Sequence, residues 1–370
     1  MQKTKKAEIL QKFKSIPSDR LILALEEKGF CVPFFNNGKS VKKEARDIAA
    51  FSEIIKGAAV CWLDYVLEDF KKDAISVATK LGFSETLISN LLKDARSSYE
   101  DFNTEMGMLI PAIIVDGFNV KLDPLVILIK KGLIVTLHTT EAKRFFRVRR
   151  YAETFIRKIK ITSLPADKIT TILIRIIDEN NSRNFDHLRE IEENADKLSE
   201  KLADPKTPRD IIGPDIYNMK HALISYLGGL WAVIDVLNSL RYGDPELLSD
   251  DPRILARLSS LASEVNTHLA LAEHLSEVLS SGLEVLQSIY NNQLQILNNK
   301  MALLVAYLTI LGTAVLVPNT LATVLGNAVY GLGPKDSGWF TTLMIGSTII
   351  ATLVSYWWVS SRGLLPKRVD

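Results

Sequence analysis

The sequence predicts an α+β domain followed by a long helical stalk and a two-helix transmembrane hairpin. Three observations predict it: a segregated charge, two charge-free stretches near the end of the chain, and a seven-residue apolar repeat just before them. At 47% hydrophobic and 24% charged, the whole chain has the composition of a soluble protein. Yet of its 45 basic and 43 acidic residues, only Lys335 and Asp336 fall between positions 301 and 361. The formal net charge of +2 is small and the basic residues are interleaved with acidic ones, so no nucleic-acid partner is expected. Cys31 and Cys61 are too few for a disulfide framework and have no zinc-site spacing to histidine, so they read as two small buried apolar residues. The histidines make no close cluster except His268 and His274, which lie on different faces of one helix.

Taken in chain order, residues 1–20 alternate lysines with single apolar residues and contain no signal-peptide run, which keeps the first 300 residues in the cytosol. Residues 58–64 read as a strand, and 70–81 and 84–92 as helices from their apolar spacing. Apolar, β-branched runs at 108–115, 125–129 and 132–138, the last after a Lys-Gly turn, complete a mostly antiparallel sheet. After Leu164-Pro165 the pattern turns helical. One stretch is acidic through Asp178, Glu179, Asp186, Glu190, Glu192, Glu193, Asp196 and Glu200; it reads as a solvated helix face, with an electrostatic reservoir for cations as the second reading.

Residues 252–300 carry a heptad seam: Leu258, Val265, Ala272, Leu279 and Leu286, with Ile254, Leu261, Leu275, Ile289 and Ile296 as the partner series. Such a repeat predicts a long helix assembling with copies of itself, about 70 Å over this stretch. No stop separates it from 301–325, the first charge-free stretch; 337–361 is the second, and each exceeds the roughly 20 residues that cross a bilayer. Lys300 before the first span, and Arg362, Lys367 and Arg368 after the second, put both termini on the cytoplasmic side of the plasma membrane; Trp339, Trp357 and Trp358 sit where interfacial anchors belong. The expected divisions are an α/β domain (1–165), a helical, partly acidic region (166–251), a stalk helix (252–300) continuous with a pore-lining span (301–327), an external loop (328–338), a second span (339–361) and a basic tail (362–370).

Steps of seven from Asn292 give Asn299, Ala306, Thr313, Thr320 and Asn327, one polar line along one helix face. Polar groups within a span turn from lipid toward a bundle interior or a water-filled path. Packing contacts between helices are the other reading. A ring of uncharged oxygens suits hydrated Mg²⁺, which sheds its water reluctantly. No phosphate-binding loop is present and the membrane potential drives a divalent cation inward, so the expected device is a channel rather than a pump. No nucleophile elbow, metalloprotease His pair or nucleotide fingerprint points to an enzyme or an organic cofactor.

The order of parts resembles the CorA family of divalent-cation channels over most of the chain. Trp62-Leu63-Asp64 before a helix is similar to that family's strand end, and Asn299-Lys300, Leu308-Thr309 and Pro318-Asn319-Thr320 to its stalk-to-pore sequence. The resemblance implies a homopentameric funnel in the bilayer, lined by the first span, with Mg²⁺ as substrate and as a regulator bound between neighbouring cytoplasmic domains. The signature Tyr-Gly-Met-Asn is degraded: Gly326-Asn327 lacks the Met, and Tyr330-Gly331-Leu332-Gly333 lacks the Asn. Asn327 falls on the polar line and is taken as the ring residue. The family's Met-Pro-Glu loop gives way to Gly-Pro-Lys335-Asp336. A segment that supplies one sensor Asp in the family has Asn90 in that place here, with Asp94 one turn later as the candidate carboxylate. A divergent member, a zinc-transporting branch of the superfamily and a non-conducting, membrane-anchored sensor or scaffold all stay open.

Overall fold

A computed structural model describes residues 28–93, 97–142, 144–204, 209–243, 245–326, 331 and 333–361. They form two compact units, Met1–Ser280 and Ser281–Asp370.

The first unit is built on a seven-stranded sheet: β1 (Gly29–Phe34), β2 (Lys43–Ala45), β3 (Val60–Leu67), β4 (Ser98–Asp101), β5 (Glu105–Asp116), β6 (Asn119–Lys130) and β7 (Leu133–Thr139), in the order β2-β1-β3-β7-β6-β5-β4. Every pairing is antiparallel except β3 with β7. The strands expected at 108–115, 125–129 and 132–138 are β5, β6 and β7; β5 and β6 extend well beyond their apolar runs, and β7 is shifted by one residue. Lys131-Gly132 makes the β6–β7 turn because Gly132 holds φ +77°, where a side chain would be strained. Pro111 in β5 lies opposite Pro124 in β6. The β4 ladder stops at Leu109 and the β7 ladder at Leu125, so each proline falls just beyond the last pairing on its outer side.

Alternation along the strands splits the core in two. Cys31, Leu63, Leu67, Val126, Leu128 and Val135 face α1 (Ser52–Gly57), α2 (Phe70–Lys80) and α3 (Glu85–Leu91). Each of the last two helices starts where a side chain caps it: Asp69 accepts from Lys72 N at 3.3 Å and Ser84 Oγ from Leu87 N at 3.2 Å. The other face, with Phe30, Val32, Trp62, Met108, Ile127 and Ile134, packs on α4 (Arg144–Arg157), α5 (Pro165–Asn181), α6 (Asn184–Ala203), α7 (Arg209–Tyr242) and the start of α8 (Pro252–Leu325). Pro165 opens α5 at its first position, where a missing N–H costs nothing.

Two sequence readings change. The acidic run is not uniformly solvated: Glu179 is buried, accepting from the Tyr151 hydroxyl and from Arg175 Nη2 at 3.1 Å, and Glu190 accepts from Gly117 N at 2.9 Å across to the β5–β6 turn. Carboxylates there organise the packing of α5 and α6. The heptad seam, expected to meet copies of the chain, is occupied at home over its first half: Leu258, Leu261, Val265 and Ala272 are buried in the core of this unit, with Ile254, Leu275 and Leu279 packed against it. Only beyond Gly282 does the seam open, Ile289 and Ile296 each being 49% exposed.

Among the described residues three helices are long and apolar enough to cross a membrane. Burial separates them. The most apolar stretch of α7 is 56% buried, against 6% in α8 and 17% in α9 (Ser337–Ser361). Tyr226, Leu230, Val233 and Leu237 of α7 lie in the sheet core, and a Cβ at Gly229 would stand 2.8 Å from Leu122, so glycine lets this helix settle onto β5 and β6. Core burial accounts for the apolarity of α7, whereas α8 and α9 leave Leu304, Leu308, Leu311, Leu316, Ile350 and Leu353 bare.

Candidate ion path and a buried acid–histidine pair

In the second unit the polar line runs along α8. Asn292 and Asn299 are exposed, Ala306 is buried, Thr313 half-buried and Thr320 exposed. Asn327, the expected ring residue, and Asp94, the expected sensor carboxylate, lie outside the described residues. Both threonines of the line are oriented by their own helix: Thr313 Oγ1 donates to the Thr309 carbonyl and Thr320 Oγ1 to the Leu316 carbonyl, each at 2.8 Å. With the hydroxyl hydrogen committed to the backbone one turn earlier, each oxygen presents only lone pairs outward. At the far end of the hairpin, Asp336 Oδ2 accepts from Gly333 N at 3.0 Å and fixes the approach to α9.

The first unit holds a polar constellation that sequence reasoning missed. Asp64 closes the Trp-Leu-Asp run of β3 and sits across the parallel ladder from Thr136 of β7. The Thr136 hydroxyl accepts from the Trp62 indole N–H at 3.3 Å and donates to Asp64 Oδ1. His138, fully buried, directs Nε2 at Asp64 Oδ2 (3.2 Å) and Nδ1 at the Thr139 carbonyl (2.7 Å), and its ring stacks on Phe145 at 4.9 Å. Burial by itself pushes the His138 pKa down, but Asp64, the Thr139 carbonyl and Asp123 outweigh it and the net direction is up. An acceptor at each ring nitrogen calls for hydrogens on both. Next to it, buried Asp123 accepts from the Thr139 hydroxyl at 2.7 Å, and burial raises its pKa. The Trp62-Leu63-Asp64 signal was visible in sequence; its histidine partner, 74 residues further along the chain, was not. Among the described residues no group of three or more His, Cys, Asp or Glu side chains is placed to hold a metal.

No curated protein matches the chain by sequence. Solved structures do match by fold. The complete CorA magnesium transporter from Methanocaldococcus jannaschii aligns with a TM-score of 0.63 and 17% identity, over 90% of this chain and 97% of its own. The full-length CmaX protein aligns at 0.59 and 16%, over 90% and 96%, and the soluble domain of the M. jannaschii CorA at 0.55 and 17%, over 70% and 96%. At these identities the likeness is one of fold: a sheet domain, long helices and a closing pair of apolar helices. The model of the family described as CorA-like Mg²⁺ transporter protein matches residues 57–368, which takes in the sheet from β3 onward, all the helices after it and both apolar stretches. The chain belongs to the CorA-like Mg²⁺ transporter family.

Proposed function

We propose that the chain is a divalent-cation channel that passes hydrated Mg²⁺ down its electrochemical gradient into the cytosol. It works as a homo-oligomer, a pentamer in this reading, in the plasma membrane with both termini cytoplasmic. Asn327, Thr320, Thr313, Asn299 and Asn292 line its path. The observation that carries the proposal is the line of neutral oxygens on the apolar helix of a family member. The water shell of a hydrated cation turns its hydrogens outward, so the wall needs acceptors. Thr313 and Thr320, whose own hydrogens go to the backbone, offer acceptors of that kind. Passage needs no chemical step and no organic cofactor. Asp94 is proposed as a regulatory carboxylate whose metal holds the path shut until cytosolic Mg²⁺ falls.

The test is indicator-detected uptake of Mg²⁺, Zn²⁺ and Co²⁺ into proteoliposomes under an inside-negative potential, with Asn327→Ala beside wild type. Mg²⁺ entry that the substitution abolishes supports both the channel and its ring. Uptake unchanged in Asn327→Ala removes Asn327 from the path. A second reading, a non-conducting sensor or scaffold, is favoured by the missing Met before Asn327 and is adopted if the assembled oligomer passes no ion. Zn²⁺ entry in excess of Mg²⁺ assigns the chain to zinc transport.

A further inference from the structure

The two cysteines, read from sequence as unrelated buried apolar residues, meet. Cys31 and Cys61 sit on adjacent antiparallel strands as a diagonal pair, two residues off register: Cys31 pairs with Leu63 and Cys61 with Pro33. Both side chains point to the same face, both are completely buried, and their Sγ atoms are 2.6 Å apart. That separation is far inside a non-bonded sulfur contact and close to the roughly 2.05 Å of a bond. The side chains thus already hold the sulfurs in bonding reach, and closure asks only a small adjustment of a diagonal strand pair. We propose that Cys31 and Cys61 are a latent disulfide, closed by oxidation to tie β1 to β3.

The chemistry balances with hydrogen peroxide as the oxidant. One thiolate attacks a peroxide oxygen, the O–O bond breaks, and the resulting sulfenic acid loses water as the second sulfur displaces it. In sum, two S–H bonds and one O–O bond break, one Sγ–Sγ bond and two waters form, and two electrons pass from the sulfurs to peroxide. The pair is quiet at rest, because its contact with Cys31 and its burial raise the Cys61 pKa well above that of a free thiol and keep it protonated. Access comes through β1. On its outer side this strand is held by β2 at Gly29, Phe30 and Cys31 only, so β1 needs little opening to admit a small oxidant. Once formed, the bond closes a loop carrying β2 and α1, which restricts the unfolded chain.

The experiment uses the full chain in detergent micelles. The protein is treated with peroxide, with and without a urea concentration below the unfolding transition, then denatured with an alkylating agent and weighed intact. The expected result is loss of both alkylatable thiols, a mass decrease of about 2 Da relative to the reduced, unalkylated chain, and recovery of both thiols with dithiothreitol. Non-reducing electrophoresis should show a monomer. The melting midpoint should rise by about 5–10 °C, the amount a loop of this size confers. Cys31→Ala, which keeps the site small and apolar, should show neither mass loss nor rise. Two intact thiols after oxidation in urea, oxygen adducts in place of the mass loss, or a covalent dimer would each overturn the proposal. The wild-type mass decides even where the variant fails to fold.

Discussion

His138 has an acceptor at each ring nitrogen and an aromatic ring on its face, so the site between the two parallel strands favours its protonated form, paired with Asp64. Removing one member of a buried pair leaves the other uncompensated, at about 3–5 kcal/mol. Asp64→Asn should therefore lower the melting midpoint of the full chain strongly at acidic pH. The pH dependence has a definite sign. The folded pKa of His138 is raised, so its contribution is complete below the ordinary histidine value of about 6.5 and is lost as pH climbs through the folded value. Wild type should melt at progressively lower temperature as pH rises across that window, while Asp64→Asn should give a flatter profile; equal slopes would dismiss the ion pair. At this scale the sequence was half legible. Trp62-Leu63-Asp64 stood out as a motif, but nothing in a linear spacing shows that Thr136 and His138 complete it, or that Cys61 finds Cys31.

The element that sequence reading got most right in period and least right in partner is α8. Its repeat of seven is real, yet Leu258, Val265 and Ala272 spend it on the chain's own sheet domain. Periodicity reports that a face is covered and leaves open by what. Two substitutions separate the halves of the seam. Leu258→Ala should cost the sheet domain about 2–5 kcal/mol in denaturant unfolding, as buried leucines do. Ile296→Ala, on the open half, should leave that unfolding unchanged and instead weaken self-association, seen as a shift to smaller species by light scattering. Thr320→Val tests the polar line: the shape stays, the acceptor goes, and Mg²⁺ uptake should fall by about tenfold, the worth of one hydrogen bond in a barrier. Undiminished uptake would make Thr320 a packing residue. β1 and β4 escaped the sequence reading for opposite reasons. Gly29–Phe34 is a short wholly buried run with a proline in it, and Ser98–Asp101 has no apolar alternation at all.

For the molecule as a whole, the proposal makes the driving force electrical. A divalent ion gains about 4.6 kcal/mol per 100 mV, twice the value for a single charge. Initial Mg²⁺ uptake into proteoliposomes should grow with an imposed inside-negative potential and proceed without ATP; uptake that requires ATP would exclude the channel. The charge segregation that marks out the two candidate spans was legible from composition alone, because each charge-free stretch exceeds the roughly 20 residues that cross a bilayer. The sheet's single parallel ladder has a further consequence, for how the chain reaches this state. It divides the sheet into two runs of strands: β2-β1-β3 on one side and the meander β4-β5-β6-β7 on the other, each closed by comparatively short connections. Joining them sets Cys61 against Leu133, a closure of roughly 70 residues whose entropy is repaid only when the whole ladder forms. During synthesis β3 therefore has one bare edge until β7 is made, and joining the two halves is expected to be the slow step of folding.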